Sequence, residues 1–237
     1  MSKSITAFAL VLGLSCAAAT PARAQTSNPE GGVTTPDLLR RTTVREFDAQ
    51  LADRRMDGTI PPAEMYLQAN TIAQCMARRG GNKADTYLGG QLLGDPDYQR
   101  IYDVLTGRLR NCANSVAAAS AVAISGALAE QLLAARSPQF DDRAKAVDAG
   151  DARSFYGDLS GPVTYDNVAG CLAVHSPGLT YKVLSAGVDS PEETAALEAL
   201  YRETPECRMS APPSSISALT QRATLAGALY KWSTLGS

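Results

Sequence analysis

Ile72-Ala73-Gln74-Cys75-Met76-Ala77 and Val168-Ala169-Gly170-Cys171-Leu172-Ala173 are the two stretches on which the fold of this chain turns. Each leads to a further cysteine: Cys112 follows Cys75 by 37 residues, and Cys207 follows Cys171 by 36. Between the cysteines, Asp95-Pro96-Asp97 matches Ser190-Pro191-Glu192, and in both copies the proline lies 16 residues before the second cysteine. Leu105 and Leu200 each stand seven residues before it. Beyond it, Ile124-Ser125-Gly126-Ala127-Leu128 recurs as Leu225-Ala226-Gly227-Ala228-Leu229. These matches describe an internal duplication of a cysteine-bearing unit.

The hydrophobic spacing inside each copy is helical. In the first unit, residues 62–136, Met65, Ala69, Ile72, Ala73 and Met76 form one stripe that Gly80-Gly81 ends. A short polar helix or turn is expected over residues 83–88. Asp95 then caps a helix with Pro96 in its first turn, and Ile101, Leu105, Leu109 and Cys112 lie on one face. A third helix is predicted over residues 116–135. The second unit, residues 164–232, repeats the plan: Tyr165, Val168, Ala169 and Leu172 make a stripe stopped by Ser176-Pro177-Gly178. Ser190-Pro191-Glu192-Glu193 has the pattern of a capping box, with Ser190 accepting from the backbone and Glu193 reaching back. Leu197, Leu200 and Tyr201 continue to Pro205; six extra residues around Pro212-Pro213 lengthen the next connection. Ile216, Leu219, Ala223, Ala226 and Tyr230 then define the last helix, and residues 233–237 form a tail. Between the units, the polar segment 137–163 is expected to hold one helix over residues 144–153. The predicted fold class is all-α: two tandem disulfide-stapled helical units forming a bundle or short helical array.

The beginning of the chain has the pattern of an export signal. Lys3 precedes an apolar run from Ile5, which ends in Ala22-Arg23-Ala24 before Gln25, so residues 1–24 are read as a cleavable signal peptide. Cys16 after Leu14-Ser15 offers lipidation as the alternative, although Gly13 stands where such signals carry a larger aliphatic residue. Both routes leave four cysteines and a periplasmic or secreted protein, where an even count favours disulfides. Four cysteines allow three connectivities. The duplication selects Cys75–Cys112 and Cys171–Cys207, because an ancestral single unit closes only its own pair. Each loop is worth about 4 kcal/mol on the chain-entropy model. Residues 25–61 are read as a disordered leader, then an amphipathic helix opened by Thr35-Pro36-Asp37 and striped by Val44, Phe47 and Leu51.

Composition excludes several function classes. Without residues 1–24 the formal net charge is −4, since Lys3 and Arg23 leave and no acid does, and nucleic-acid binding then lacks its basic footprint. The apolar stretch 116–135 contains Glu130 and Gln131; burying a charge in lipid costs at least about 2.5 kcal/mol, so no transmembrane helix is expected in the mature chain. The one histidine, His175, stands four residues after Cys171, but a cysteine held in a disulfide cannot ligate a metal and no second histidine completes a set. It is read as an exposed or last-turn histidine favoured by the helix dipole. There is no G-x-S-x-G turn, no S-x-x-K and no phosphate-binding G-x-x-x-x-G-K. No cofactor or metal is assigned.

What remains is carboxylate chemistry, with Asp141, Asp142, Asp148 and Asp151 as candidate acid and base. Solvation and helix capping are the simpler roles. Tyr156, Tyr165, Tyr181, Tyr201, Tyr230 and Trp232 have the chemistry to line a groove, though several fall on buried stripes. The recurring Gly126 and Gly227 are read as points of close helix approach.

A cysteine in a first helix, a capped [DS]-P-[DE] helix, a second cysteine and a closing G-A-L helix together resemble uncharacterised exported proteins of alphaproteobacteria built from cysteine-paired helical units. The resemblance covers residues 62–232 and implies a fold without an activity. The expected function is a non-catalytic periplasmic binding or interaction protein, holding a protein, envelope component or small ligand in a groove between its two units. The alternative is a hydrolase or lyase using the acids of the inter-unit segment. Non-reducing peptide mapping of the secreted protein should return an N-terminus at Gln25 and the two intra-unit crosslinks; a crosslink from one unit to the other would contradict the duplication.

Overall fold

The computed structural model describes residues 61–88, 98–113, 119–136, 138–160 and 164–235. The signal segment, Cys16, the leader, the expected helix through Val44 and Leu51, and the Asp95-Pro96 cap lie outside the described residues. Among the described residues the protein is all-α, without a strand.

Helix α1 (Pro62–Gly80) begins where Pro62 occupies the first turn, with Glu64 near its N-terminus and Arg78 and Arg79 in its last turn, so the charges at both ends oppose the helix dipole. It buries Met65, Tyr66, Ala69, Ile72, Ala73 and Met76. Gly81, at φ 52° and ψ −130°, takes a conformation that side-chain-bearing residues resist, and the chain tightens into a 3₁₀ segment, Gly81–Tyr87. The next helix was expected to run unbroken to Cys112. It is interrupted instead: α2 (Tyr98–Thr106) gives way to a turn and then to α3 (Arg110–Ala113). At the break Gly107 weakens the helix, Leu109 N–H reaches the Val104 carbonyl five residues back, and the Thr106 hydroxyl bonds the Tyr102 carbonyl. The offset still buries Ile101, Leu109 and Cys112 together. Helix α4 (Ala121–Arg136) follows, with the Ser120 hydroxyl accepting from Ala123 N–H.

The described part of the inter-unit segment is tied to the following helices at Asp141, Asp142 and Ala144. Its carbonyls at Asp141 and Asp142 accept from Gly178 and Leu179 N–H, the first-turn donors of helix α7 (Pro177–Ser185). A β-carbon at position 178 would lie 2.6 Å from the Asp141 carbonyl oxygen, so only glycine permits this strap. Helix α5 (Ala149–Tyr156) starts later than the expected residue 144, because the Asp148 side chain caps it by accepting from Gly150 and Asp151 N–H.

Helix α6 (Tyr165–His175) opens on a capping box between Thr164 and Asn167. Ser176-Pro177-Gly178 ends it, as expected, but also begins α7: Pro177 takes the first helical position, where its missing N–H costs nothing. Helix α8 (Pro191–Glu203) is capped by Ser190, which accepts from Glu193 N–H; Glu193 reaches back to Asp189 N–H, one residue beyond the usual capping-box partner. A 3₁₀ turn, Pro205–Cys207, carries the last cysteine. Ser217 caps the final helix, α9 (Ala218–Thr234).

Cys75 and Cys112 stand at disulfide distance, joining α1 to α3, and so do Cys171 and Cys207, joining α6 to the 3₁₀ turn after α8. Helix α1 packs on α4, α4 on α9, and α9 on α6 and α7, giving one continuous apolar core. At the centre α4 and α9 meet almost backbone to backbone: a β-carbon at Gly126 would fall 2.4 Å from the Ala223 α-carbon.

Next to this crossing a guanidinium is sealed inside the protein. Arg222 of α9 is 3% exposed. Its Nε and Nη2 donate to the two oxygens of Glu130 on α4, at 2.7 and 3.1 Å, while Nη1 meets Glu193 of α8 at 3.0 Å. The remaining donors go to the carbonyls of Val183, Leu184 and Ala186, the C-terminal end of α7. Tyr66 of α1 donates its hydroxyl to Glu130 and presents its ring to the guanidinium, 5.4 Å from the centroid. Burial pushes the Glu130 carboxyl above its ordinary value, against the pull of Arg222 and Tyr66. Burial alone would lower Arg222, but the Glu130 hydrogen bonds and charge hold it above the usual value. Removing the cation strands two buried carboxylates. Arg222→Ala is therefore expected to lower unfolding free energy by about 3–5 kcal/mol in urea with the disulfides intact. Arg222→Lys should recover only part, since one ammonium cannot reach six acceptors. A loss below about 1 kcal/mol would show that the cluster does not hold the helices together.

Candidate functional site

Where the described helices of the two cysteine-paired stretches meet, the seam holds the α4–α9 contact and the Arg222 cluster. Two open concavities lie elsewhere among the described residues. The larger, about 540 Å³, lies between α8 and the lengthened connection, with Thr194, Glu198, Arg202, Pro212 and Gln221 in its wall. The six extra residues thus form one side of a cleft. Gln221 is occupied there, donating to the Pro213 and Ile216 carbonyls and accepting from Tyr201.

The second cleft, about 250 Å³, lies between α5 and the ends of α6 and α8, and it gathers side chains of more varied chemistry. Helix α5 brings Arg153 and Tyr156, and the turn after it brings Asp158. His175 comes from the last turn of α6, and Glu206 and Arg208 flank Cys207. The α5 wall is set by three local devices. Asp148 starts the helix, Gly157 at φ 80° turns the chain out of it, and the Asn167 amide donates to the Tyr156 carbonyl. A side chain at Gly170 would strike Tyr156 at 2.8 Å, so α6 holds α5 at close range.

Within the cleft, the Tyr156 hydroxyl lies 3.1 Å from His175 Nε2. His175 lies in the last turn of its helix, as expected, and it is half-buried. Half-burial lowers the His175 imidazole below its usual value; Glu206 pulls upward and Arg143 adds to the lowering. Arg143, from the strap, holds both the Glu203 carbonyl and the Glu206 carboxylate, and this hydrogen bond keeps Glu206 below the ordinary range. Asp158 accepts from the Ser160 N–H and hydroxyl, at 2.8 and 2.5 Å, which lowers its carboxyl.

The other candidates do not converge. Asp141 pairs with Lys145 and Asp142 with Lys182, both on the surface. Asp148 is the α5 cap and Asp151 is exposed in the first turn of that helix. These four acids therefore lack the shared, partly buried environment that acid–base catalysis by a carboxylate pair needs. Cys75, Cys112, Cys171 and Cys207 are all placed in the two bridges. Among the aromatics, Tyr201 and Tyr230 are buried, Tyr165 and Tyr201 share a hydrogen bond of 2.9 Å, Tyr181 packs edge-on against Phe140, and Trp232 packs on Phe155. Only Tyr156 of that set lines the smaller cleft. Among the described residues no group of three or more histidine, cysteine or acidic side chains is placed to hold a metal ion, and no helix is long and apolar enough to cross a membrane.

Sequence reasoning missed Arg143, Arg153, Glu206 and Arg208 as site residues. The single available signal was the clustering of Glu206 and Arg208 around Cys207, where a bridge fixes the backbone. Comparison with protein-family models, curated proteins and solved structures finds no match to this chain.

The His175 shift has a definite sign for stability. The unfolded chain takes up a proton near pH 6.5, the folded protein only below that. The stability tied to this residue is complete above about pH 6.5 and is lost as the pH falls toward the depressed folded value. An NMR titration of the imidazole should give a midpoint below that of a free histidine, and Tyr156→Phe should change it. A midpoint at or above the free value would show that the ring is solvated.

Proposed function

We propose that this is an exported, disulfide-stapled helical protein that works by binding, with its partner or small ligand entering the cleft between α5 and the second cysteine-paired region. Export rests on the signal pattern of residues 1–24 and on the two cysteine pairs at bonding distance, which suit an oxidising compartment. The observation that carries the binding role is the convergence of Arg153, Tyr156, Asp158, His175, Glu206 and Arg208 on one open concavity of a tightly held frame. Polar groups of this kind, fixed by short helices and a neighbouring bridge, orient a ligand at low entropic cost. The carboxylate-hydrolase alternative draws no support from the acids of the inter-unit segment, which stand apart in capping and ion-pair roles.

The role is testable without knowing the partner. A photo-crosslinking residue placed at Ala149, which lines the cleft and is exposed, should trap a discrete adduct when the protein is irradiated in its own envelope extract. The same residue at exposed Thr71 on α1 should not. Intact mass reads the adduct, and identical patterns at both positions would remove the proposal.

A further inference from the structure

We infer that the α5 cleft is a site for a small anion bearing a carboxylate or phosphate group, gripped by the guanidinium groups of Arg153 and Arg208. The inference rests on the binding role proposed for the same cleft and names what enters it.

Charge accounting around the cleft leads there. Glu206 is matched by Arg143, which bonds it directly, so this pair adds no net charge. Asp158 turns its two oxygens to the Ser160 N–H and hydroxyl. Arg208 commits one nitrogen, Nη1, to the Leu159 carbonyl at 2.8 Å. The Arg153 side chain makes no hydrogen bond or ion pair among the described residues. Two guanidinium groups therefore face one remaining acid, and most of their donors are unclaimed. That leaves an excess positive charge with planar, paired N–H groups, the arrangement that recognises carboxylate and phosphate oxygens two at a time.

The backbone supports the same assignment. Arg208 sits at φ 58° and ψ 17°, the left-handed region that residues other than glycine, asparagine and aspartate seldom adopt. Its N–H returns to the Pro205 carbonyl at 3.1 Å, and the preceding Cys207 is tied to Cys171. Such a conformation persists only where the surroundings impose it. Here the imposition sets the arginine in the cleft wall beside Glu206. Nearby, neutral His175 and Tyr156 carry two polar hydrogens between them and use one on each other, so one donor remains. Among the described residues, the two acids that line the cleft, Asp158 and Glu206, each already hold a donor or a cation. The volume, about 250 Å³, is below that of pockets for drug-sized molecules and suits a small ion.

The test is an NMR titration of the disulfide-intact mature protein at constant ionic strength, following the Arg153 and Arg208 side-chain N–H signals, His175 and Tyr156. The probes are acetate and inorganic phosphate, with choline and glycerol as cationic and neutral comparisons. Acetate or phosphate should give saturable shifts in the cleft, and Arg153→Gln and Arg208→Gln should each weaken binding about tenfold or more. Arg110→Gln, an exposed change on α3, should leave it unaltered. Because Arg153 is exposed, its variant folds even if the strained turn at 208 tolerates no change. Cleft shifts from choline or glycerol without any from the anions would overturn the anion assignment and leave the binding role standing. Anion shifts that match sodium chloride, or survive both arginine variants, would overturn it too. The Ala149 crosslink separately decides the broader role.

Discussion

One guanidinium, buried among four helices, sets the arrangement of everything around it. Arg222 draws Glu130 from α4, Glu193 from the first turn of α8 and three carbonyls from the end of α7 to a single point on α9. Each of those groups is costly to bury alone. The α7 carbonyls are orphans of a helix end, the carboxylates carry charge, and the arginine has five N–H groups to satisfy. Together they satisfy one another's hydrogen bonds, and only when the four helices hold one register. An apolar cluster of similar volume would stabilise the core as well or better. What ions add is intolerance of alternatives: a sliding α4 or α8 leaves a carboxylate unpaired.

The Gly126–Ala223 contact works to the same end from the apolar side. Two helices this close admit no side chain between them, which brings Glu130 within bidentate reach of Arg222. The bridges then tie short segments to long helices. Cys171 and Cys207 are sealed in the core, and Cys207 fixes the turn that carries Glu206 and Arg208. A rigid centre and a buried bridge beside it leave the α5 cleft as a place where charged side chains stand on a fixed backbone yet remain open to solvent.

How far this could be read from residues depended on the range of the signal. Local signals were legible: Ser190 as a start, Gly80-Gly81 and Pro205 as stops, the apolar stripes, and the all-α class. Signals that change meaning with distant contacts were not. Ser176-Pro177-Gly178 looks like a terminator, and becomes the start of α7 only because Asp141 and Asp142 supply carbonyls to its first turn. The break at Gly107 follows from the offset needed to bury Leu109 and Cys112 with Ile101. Glu130 was visible as an oddity in an alanine-rich helix. Its partner lies 92 residues away in another helix, and no spacing rule connects them.

The duplication read from the sequence adds a further step. On that alignment Glu130 stands opposite Lys231 and Arg222 opposite Ala121, so neither member of the central ion pair repeats at the matching position. The pair joins α4 to α9 where the two aligned stretches differ. The cleft obeys the same logic: His175, Glu206 and Arg208 stand opposite Arg79, Asn111 and Ala113 of the first copy. Residues common to both copies (cysteines, glycines, stripe leucines) answer to packing, which any such unit must satisfy alone. Lys231 is exposed at the end of α9 while Glu130 is sealed in α4, and His175, Glu206 and Arg208 meet Arg153, Tyr156 and Asp158 of the preceding polar segment in the α5 cleft.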